Sequence, residues 1–304
     1  METFTLANAH GLQVRATSYG GIIMSILAPD RHGRLADVVL GHDSVDGYRD
    51  NPRYLGAIIG RCANRIGNAQ FTIDGTIYRL AANIGRHHLH GGLRGFDKVV
   101  WKATPNSPRS VALDYTSPDG EEGYPGTLQV RVTYTVTDRN ELIVDYEATT
   151  DRATPVNLTQ HSYFNLASKG DVLSHLVQIN ADAMTPVDET KIPTGAIAPV
   201  AGGRFDFRSP KPIGDSDFDH NFVLNRSGSG LVHAARVEER RSGRTLDVHT
   251  TEPGVQFYSG HTLGFCLETQ HFPDAPNQPQ FPSTILPAGA TYRSKTLFVF
   301  GVTP

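Results

Sequence analysis

Apolar and polar side chains alternate through TLQVRVTYTVTD, residues 127–138, up to its closing Thr137-Asp138. Leu128, Val130, Val132, Tyr134 and Val136 face one way, and Gln129, Arg131, Thr133 and Thr135 face the other. A period of two describes a strand with one covered face and is incompatible with a helix there. The pattern continues in ELIVDYEATT after a turn at Arg139-Asn140, and strand candidates recur near the C-terminus in GVQFYSG, GFCLET and TLFVFGV. FTIDGTIYRL reads as a hairpin closed by Asp74-Gly75, and ARVEERRSGRTLDVHT as another turning at Ser242-Gly243. No long segment holds an i, i+3, i+4, i+7 apolar face. Thirty glycines and nineteen prolines, spread over 304 residues, supply the turns that many short strands need. These features predict one all-β domain over residues 1–304, a large antiparallel sandwich or barrel. The Pro-rich stretch HFPDAPNQPQFP is interleaved with aromatics and reads as an ordered surface loop rather than a tether.

The balance of residues narrows the partners. Hydrophobic residues make up 38% and charged residues 19%, which suits an ordinary globular chain. A net charge of −3 lacks the basic footprint of a nucleic-acid binder. METFTLANAHGLQV has no basic segment leading into an apolar run, and no window is apolar enough to span a bilayer. Cys62 and Cys266 lie far apart, with no metal-binding or redox spacing. The expectation is a cytoplasmic protein that engages neither membrane nor nucleic acid.

Four polar clusters could carry chemistry. GRCANRIG contains Arg61, Asn64 and Arg65; it lacks the Gly-Lys-Ser/Thr of a phosphate loop, leaving either an Arg bracing backbone carbonyls or an Asn-Arg fork for a polar ligand. GRHHLHGG brings His87, His88 and His90, of which only His88 and His90 can share a face on an extended chain. No carboxylate or cysteine stands nearby at ligand spacing, so a metal is not expected, while the double glycine suits close backbone approach at a pocket rim. GDSDFDHNF contains Asp215, Asp217, Asp219 and His220, without the Gly and distal Glu of a calcium loop. DGEEGYPG reads as a turn.

The remaining signal lies in two stretches. In LTQHSYFNL, residues 158–166, strict alternation puts Thr159, His161, Tyr163 and Asn165 on one face. There His161 is either a structural group satisfying a neighbour or a group that moves a proton, the other three then being the shell that orients it. Glu268 follows Phe265, Cys266 and Leu267 at the end of an apolar strand, where desolvation raises a carboxyl pKa. A buried carboxylate and a histidine in one pocket form a general base and general acid. No nucleophile motif competes with them, and the Asn, Gln, Asp and His side chains suit a neutral, hydroxyl-rich molecule.

Taken in order, YGGIIMSILAPD, GRCANRIG, LHGGLRGFDKVVW, DGEEGYPG, NLTQHSYFNL, TPVDETKIPTG, DFDHNFVL, GVQFYSG and GFCLETQHFPDAPNQPQFP resemble the aldose 1-epimerase (galactose mutarotase) family along nearly the whole chain. The resemblance implies a galactose mutarotase-like supersandwich that interconverts the α and β anomers of free aldoses such as galactose and glucose. It implies Glu268 as general base and His161 as general acid, with His90, Asn64, Arg65, Asp219 and Gln256 binding the sugar. It also implies a monomer or homodimer with no cofactor and no metal. The mechanism then requires a cationic His161, supported by Glu268 or another pocket carboxylate. Three other readings are a non-catalytic sugar-binding sandwich, a metal enzyme using His88, His90 and His161, and an epimerase of hexose 6-phosphates.

Overall fold

The computed structural model describes residues 1–215 and 217–303. Its regular elements are β-strands and short 3-10 turns; among the described residues there is no α-helix, and no helix long and apolar enough to cross a membrane. The alternating segment forms the strand Leu128–Val136, its five apolar residues all buried. It pairs antiparallel with Glu141–Thr150, and that strand pairs with the twelve-residue Thr291–Val302. These three lie inside a nine-stranded sheet. On one side follow Ser110–Ser117 and Lys102–Ser107; on the other Arg244–Thr250, Val232–Glu238, Leu176–Ile179 and Lys211–Pro212.

A four-stranded sheet carries the N-terminal strands Thr3–Ala7, Gln13–Thr17, Ile23–Pro29 and Leu35–Asp37. A five-stranded sheet runs Ala198–Pro199, Ala183–Met184, Asp219–Val223, Gly254–His261, Gly264–Gln270. Inward residues of all three sheets, among them Val14, Ile26, Val132, Val144, Phe257 and Leu267, join one continuous apolar core. The expected turns are present. Asp74 (φ 48°) and Gly75 (φ 77°) both adopt the left-handed conformation of a two-residue hairpin loop between Gln70–Ile73 and Thr76–Arg79. The Ser242-Gly243 turn is longer than two residues: the ladder ends at the Glu238–Thr245 pair, and Glu239 N then donates to Arg244 O across the loop. The Pro-rich loop is ordered as expected: Phe272 and Phe281 pack edge to face at 5.2 Å in a small apolar cluster with Ala275.

One expectation fails. LTQHSYFNL is not a continuous strand; only Thr159–Gln160 forms a ladder, with Ile58–Ile59. Beyond it the chain threads between neighbours: His161 N donates to Ala57 O, Leu40 N to Tyr163 O, and Phe164 N to Phe265 O. Every residue from Leu158 to Leu166 is buried. Because both sides are covered, alternation does not sort a polar face from an apolar one here.

Candidate active site

The five-stranded sheet sets the site by register. Asp219 pairs with Tyr258, and Tyr258 with Cys266; in the next row Asn221 pairs with Gln256, and Gln256 with Glu268. The strand Gly264–Gln270 is buried at every position. Phe265 and Leu267 enter the main core, so Cys266 and Glu268 face the other way. There they meet the buried segment that carries His161. Glu268 Oε2 lies 3.6 Å from His161 Nε2, with both side chains nearly inaccessible (3% and 5% exposed). Around them a cavity of about 170 Å³ is lined by Tyr54, Asn64, Arg65, His90, Tyr163, Asp219 and Tyr258, with Pro52, Arg53 and Leu89 at its rim.

His90 reaches the cavity from a backbone in the left-handed conformation (φ 50°), followed by Gly91 and Gly92. A Cβ on Gly91 would sit 1.8 Å from the Gly60 carbonyl oxygen, so only glycine allows this approach. His90 Nδ1 accepts the Asn64 main-chain N–H at 3.1 Å. That bond assigns the proton of the neutral ring to Nε2, making His90 a donor. Burial, then the neighbouring His161 and Arg65, hold His90 well below the usual histidine range, which keeps it neutral. Asn64 (φ 61°) uses its Oδ1 on the Arg65 N–H at 2.9 Å, leaving its amide NH₂ to donate.

Asp219 is the anionic corner. Its carboxylate accepts from Gln256 Nε2 at 2.7 Å and Lys191 Nζ at 2.9 Å, with Arg65 Nη2 at 3.4 Å. Burial alone would raise the Asp219 carboxyl, but Arg65, Lys191 and Gln256 outweigh it and hold the pKa below the ordinary value. Gln256 therefore acts on Asp219, while its own Oε1 is buried without a partner.

The two central groups are shifted in opposite directions. Burial, then the charge of Asp219, pushes Glu268 well above the usual carboxylate range, with Arg65 opposing. Burial pulls His161 down to about 4, although its own main-chain carbonyl and Asp219 favour the cation. These opposite shifts both favour the uncharged forms, a protonated carboxyl beside a neutral imidazole. The carboxylate support that a cationic His161 needs is present in Asp219, but in the unliganded pocket desolvation exceeds it. The neutral pair and the ion pair hold the same number of protons, so one proton transfer interconverts them.

All seven site residues expected from sequence converge here: six line the cavity and Gln256 contacts Asp219. The proposed shell of His161 is corrected in part. Tyr163 stacks on the ring at 5.1 Å. Asn165, however, donates to the Gly170 and Leu263 carbonyls, and Thr159 Oγ1 has no hydrogen-bond partner. Sequence reasoning missed Tyr54, held at φ 56° with its ring 4.7 Å from His90, and Lys191 on Asp219. It also missed Cys266, whose Sγ lies 3.5 Å from His161 Nδ1. Alternation along GFCLET was the available signal for Cys266, since it shares the face of Glu268.

The other clusters divide between structure and site. Arg61 is buried and braces main-chain carbonyls of Ser117, Pro118 and Pro125 at 2.8–3.0 Å, while its neighbours Asn64 and Arg65 serve the cavity. His88 is structural, Nδ1 bonding to Ala81 O and Nε2 to Tyr124 Oη, both at 2.8 Å. His87 lines a separate cavity with Asp188 and Asp274. Glu122 of DGEEGYPG accepts the Leu93 and Arg94 N–H groups and so braces the loop after His90. A metal set of His88, His90 and His161 is not assembled, because both His88 nitrogens are occupied. His90, His161 and Glu268 do place ligand atoms within 4.8 Å of one another. Coordination through His90 Nε2 would nevertheless require moving its proton onto the nitrogen that accepts from Asn64.

A sequence family described as Aldose 1-epimerase matches residues 2–299. The human protein named galactose mutarotase is 49% identical, covering 96% of this chain and 92% of its own. The Escherichia coli K12 protein named aldose 1-epimerase is 39% identical, covering 97% and 94%. The crystal structure of an aldose epimerase homologue from C. elegans superposes with a TM-score of 0.94 at 31% identity, covering 100% and 99%.

Proposed function

The chain belongs to the aldose 1-epimerase family and is a carbohydrate epimerase, and from that premise we propose that Glu268 and His161 are the base and acid that interconvert its sugar anomers. The substrate is a free aldohexose such as galactose or glucose. Glu268 removes the proton from the C1 hydroxyl while His161 Nε2–H delivers one to the ring oxygen. The C1–O5 bond breaks and C1 becomes an aldehyde. Rotation about C1–C2 presents the other carbonyl face. His161 then takes the proton from the O5 hydroxyl, O5 attacks C1, and Glu268 returns a proton to the carbonyl oxygen. Both residues end as they began, so the cycle balances without a cofactor.

The observation that carries this reading is the buried Glu268–His161 approach, 3.6 Å, in a polar cavity. Sugar binding converts the resting neutral pair into the ion pair by moving one proton. Asp219 accepts sugar hydroxyls, Arg65 and the Asn64 amide donate to them, and the fixed Nε2–H of His90 donates to an oxygen near C1. Arg65 and Lys191 both lie against the Asp219 carboxylate, whose charge offsets theirs and favours a neutral sugar over a 6-phosphate. The setting is taken as cytoplasmic, in keeping with two buried free thiols, Cys62 and Cys266.

Polarimetry of freshly dissolved α-glucose and α-galactose tests the assignment. Glu268→Gln and His161→Asn should each lower kcat by roughly 100-fold or more, the usual scale of one acid or base. Near wild-type relaxation in either variant would overturn the roles. Sugar binding with relaxation at the buffer rate in the wild type would instead indicate a binding protein.

A further inference from the structure

Both nitrogens of His161 are met by one strand. Cys266 and Glu268 sit two residues apart on the same face, about 6.8 Å along the strand. Cys266 Sγ lies 3.5 Å from Nδ1, and Glu268 Oε2 lies 3.6 Å from Nε2. The thiol is not left loose: the Tyr163 hydroxyl hydrogen-bonds it while the Tyr163 ring stacks on the imidazole. His161 is thus enclosed by Tyr163 on its face, Tyr54 nearly parallel at 6.0 Å, His90 edge-on at 5.1 Å, and Asp219 further off.

We propose that Cys266, held by Tyr163, is a positioning residue that keeps one proton on Nδ1 of His161, so that Nε2 alone exchanges a proton with the sugar. When His161 is cationic, Nδ1–H needs an acceptor, and sulfur provides a weak one alongside the ring's own main-chain carbonyl. When His161 is neutral, the same contact retains the Nδ1 proton and leaves the Nε2 lone pair free. The alternative tautomer would direct a proton at Glu268 and remove the lone pair that must recapture the O5 proton. A carboxylate behind Nδ1 would act differently, since its charge would hold the imidazolium and weaken it as an acid. Burial and the nearby Glu268 and Asp219 keep the Cys266 thiol protonated, so it adds no charge of its own.

This inference rests on His161 as the proton donor, and the tests separate the two claims. The His161 ring can be read directly by ¹⁵N NMR of the full-length wild-type protein. The expected result is a neutral Nδ1–H tautomer at pH 7; an Nε2–H tautomer overturns the proposal whatever the activity of His161→Asn. Kinetically, Cys266→Ala should lower kcat by about tenfold with KM changed less than about twofold, within the range one proton-transfer group controls. Cys266→Ser, which restores a neutral acceptor, should recover most of that loss and displace the acid limb of kcat/KM toward higher pH, because oxygen accepts from Nδ1–H better than sulfur. Wild-type kcat and an unmoved pH profile in both variants would overturn the proposal. If Cys266→Ala does not fold, the near-isosteric Cys266→Ser and the wild-type spectrum decide.

Discussion

Replacing Asp219 with Asn separates binding from chemistry. The carboxylate receives Gln256, Lys191 and Arg65 and faces the cavity, but it touches neither proton-transfer atom. Its place in the mechanism is to accept sugar hydroxyls as a charged acceptor. One such hydrogen bond contributes about 1.5–3 kcal/mol, so the variant should raise KM by roughly 10- to 150-fold. The kcat should fall by less than about tenfold, since Glu268 and His161 keep their geometry. A second readout is electrostatic. The Asp219 charge raises Glu268 and also favours the His161 cation. Its loss should therefore move both limbs of the kcat/KM profile to lower pH. Polarimetric initial rates over a galactose series at several pH values measure all three quantities. An unchanged KM with a large loss of kcat would refute the reasoning, by making Asp219 part of the proton transfer.

For the wild type, kcat/KM should be bell-shaped, because only the singly protonated Glu268–His161 pair is active. The acid limb should fall near the depressed His161 value, about 4, and the alkaline limb should follow the raised Glu268; an acid limb at 6 to 7 would contradict the neutral resting pair. Arg61→Met leaves several buried carbonyls without their donor and should cost about 3–5 kcal/mol in urea unfolding, while the residual folded fraction keeps its KM. His271 is held by the buried Glu252 at 2.5 Å; burial lowers its pKa, but Glu252 outweighs this and raises it, while His271 keeps Glu252 below its ordinary value. A raised histidine stabilises the fold below its unfolded pKa, and the contribution disappears as pH rises through the folded value. The melting temperature should thus decline from pH 6 into the alkaline range, and His271→Gln should flatten that decline; an equal slope in both proteins would disprove it.

What could be read in advance depended on how each segment is covered. Leu128–Val136 has one face on the core and one outward, so its residues alternate as its backbone does. The Asp74-Gly75 turn was legible because the two-residue loop demands left-handed backbone that those residues tolerate. The segment around His161 resists such reading because it is buried on both sides. Polar residues there follow their individual partners: Asn165 serves two carbonyls, and Tyr163 serves the imidazole and the Cys266 thiol. The residues of the site were identifiable by family resemblance, but their division of labour was not. That Gln256 acts through Asp219, that His90 is fixed as a donor by Asn64, and that Lys191 joins the anionic corner all depend on cross-strand register and loop approach. Local sequence carries no record of either. The pKa reversal at the central pair is a cavity property for the same reason.

The central claim is that Glu268 and His161 act as one unit on one sugar, and a double-variant comparison reaches it most directly. Anomer exchange can be followed by NMR exchange spectroscopy of galactose with wild type, Glu268→Gln, His161→Asn and the double variant, each checked for a native fold. If ring opening needs both transfers together, the double variant should be no more than about tenfold slower than the worse single variant, because removing either group already breaks the unit. Losses that multiply, or either single variant exchanging anomers at close to the wild-type rate, would contradict the account.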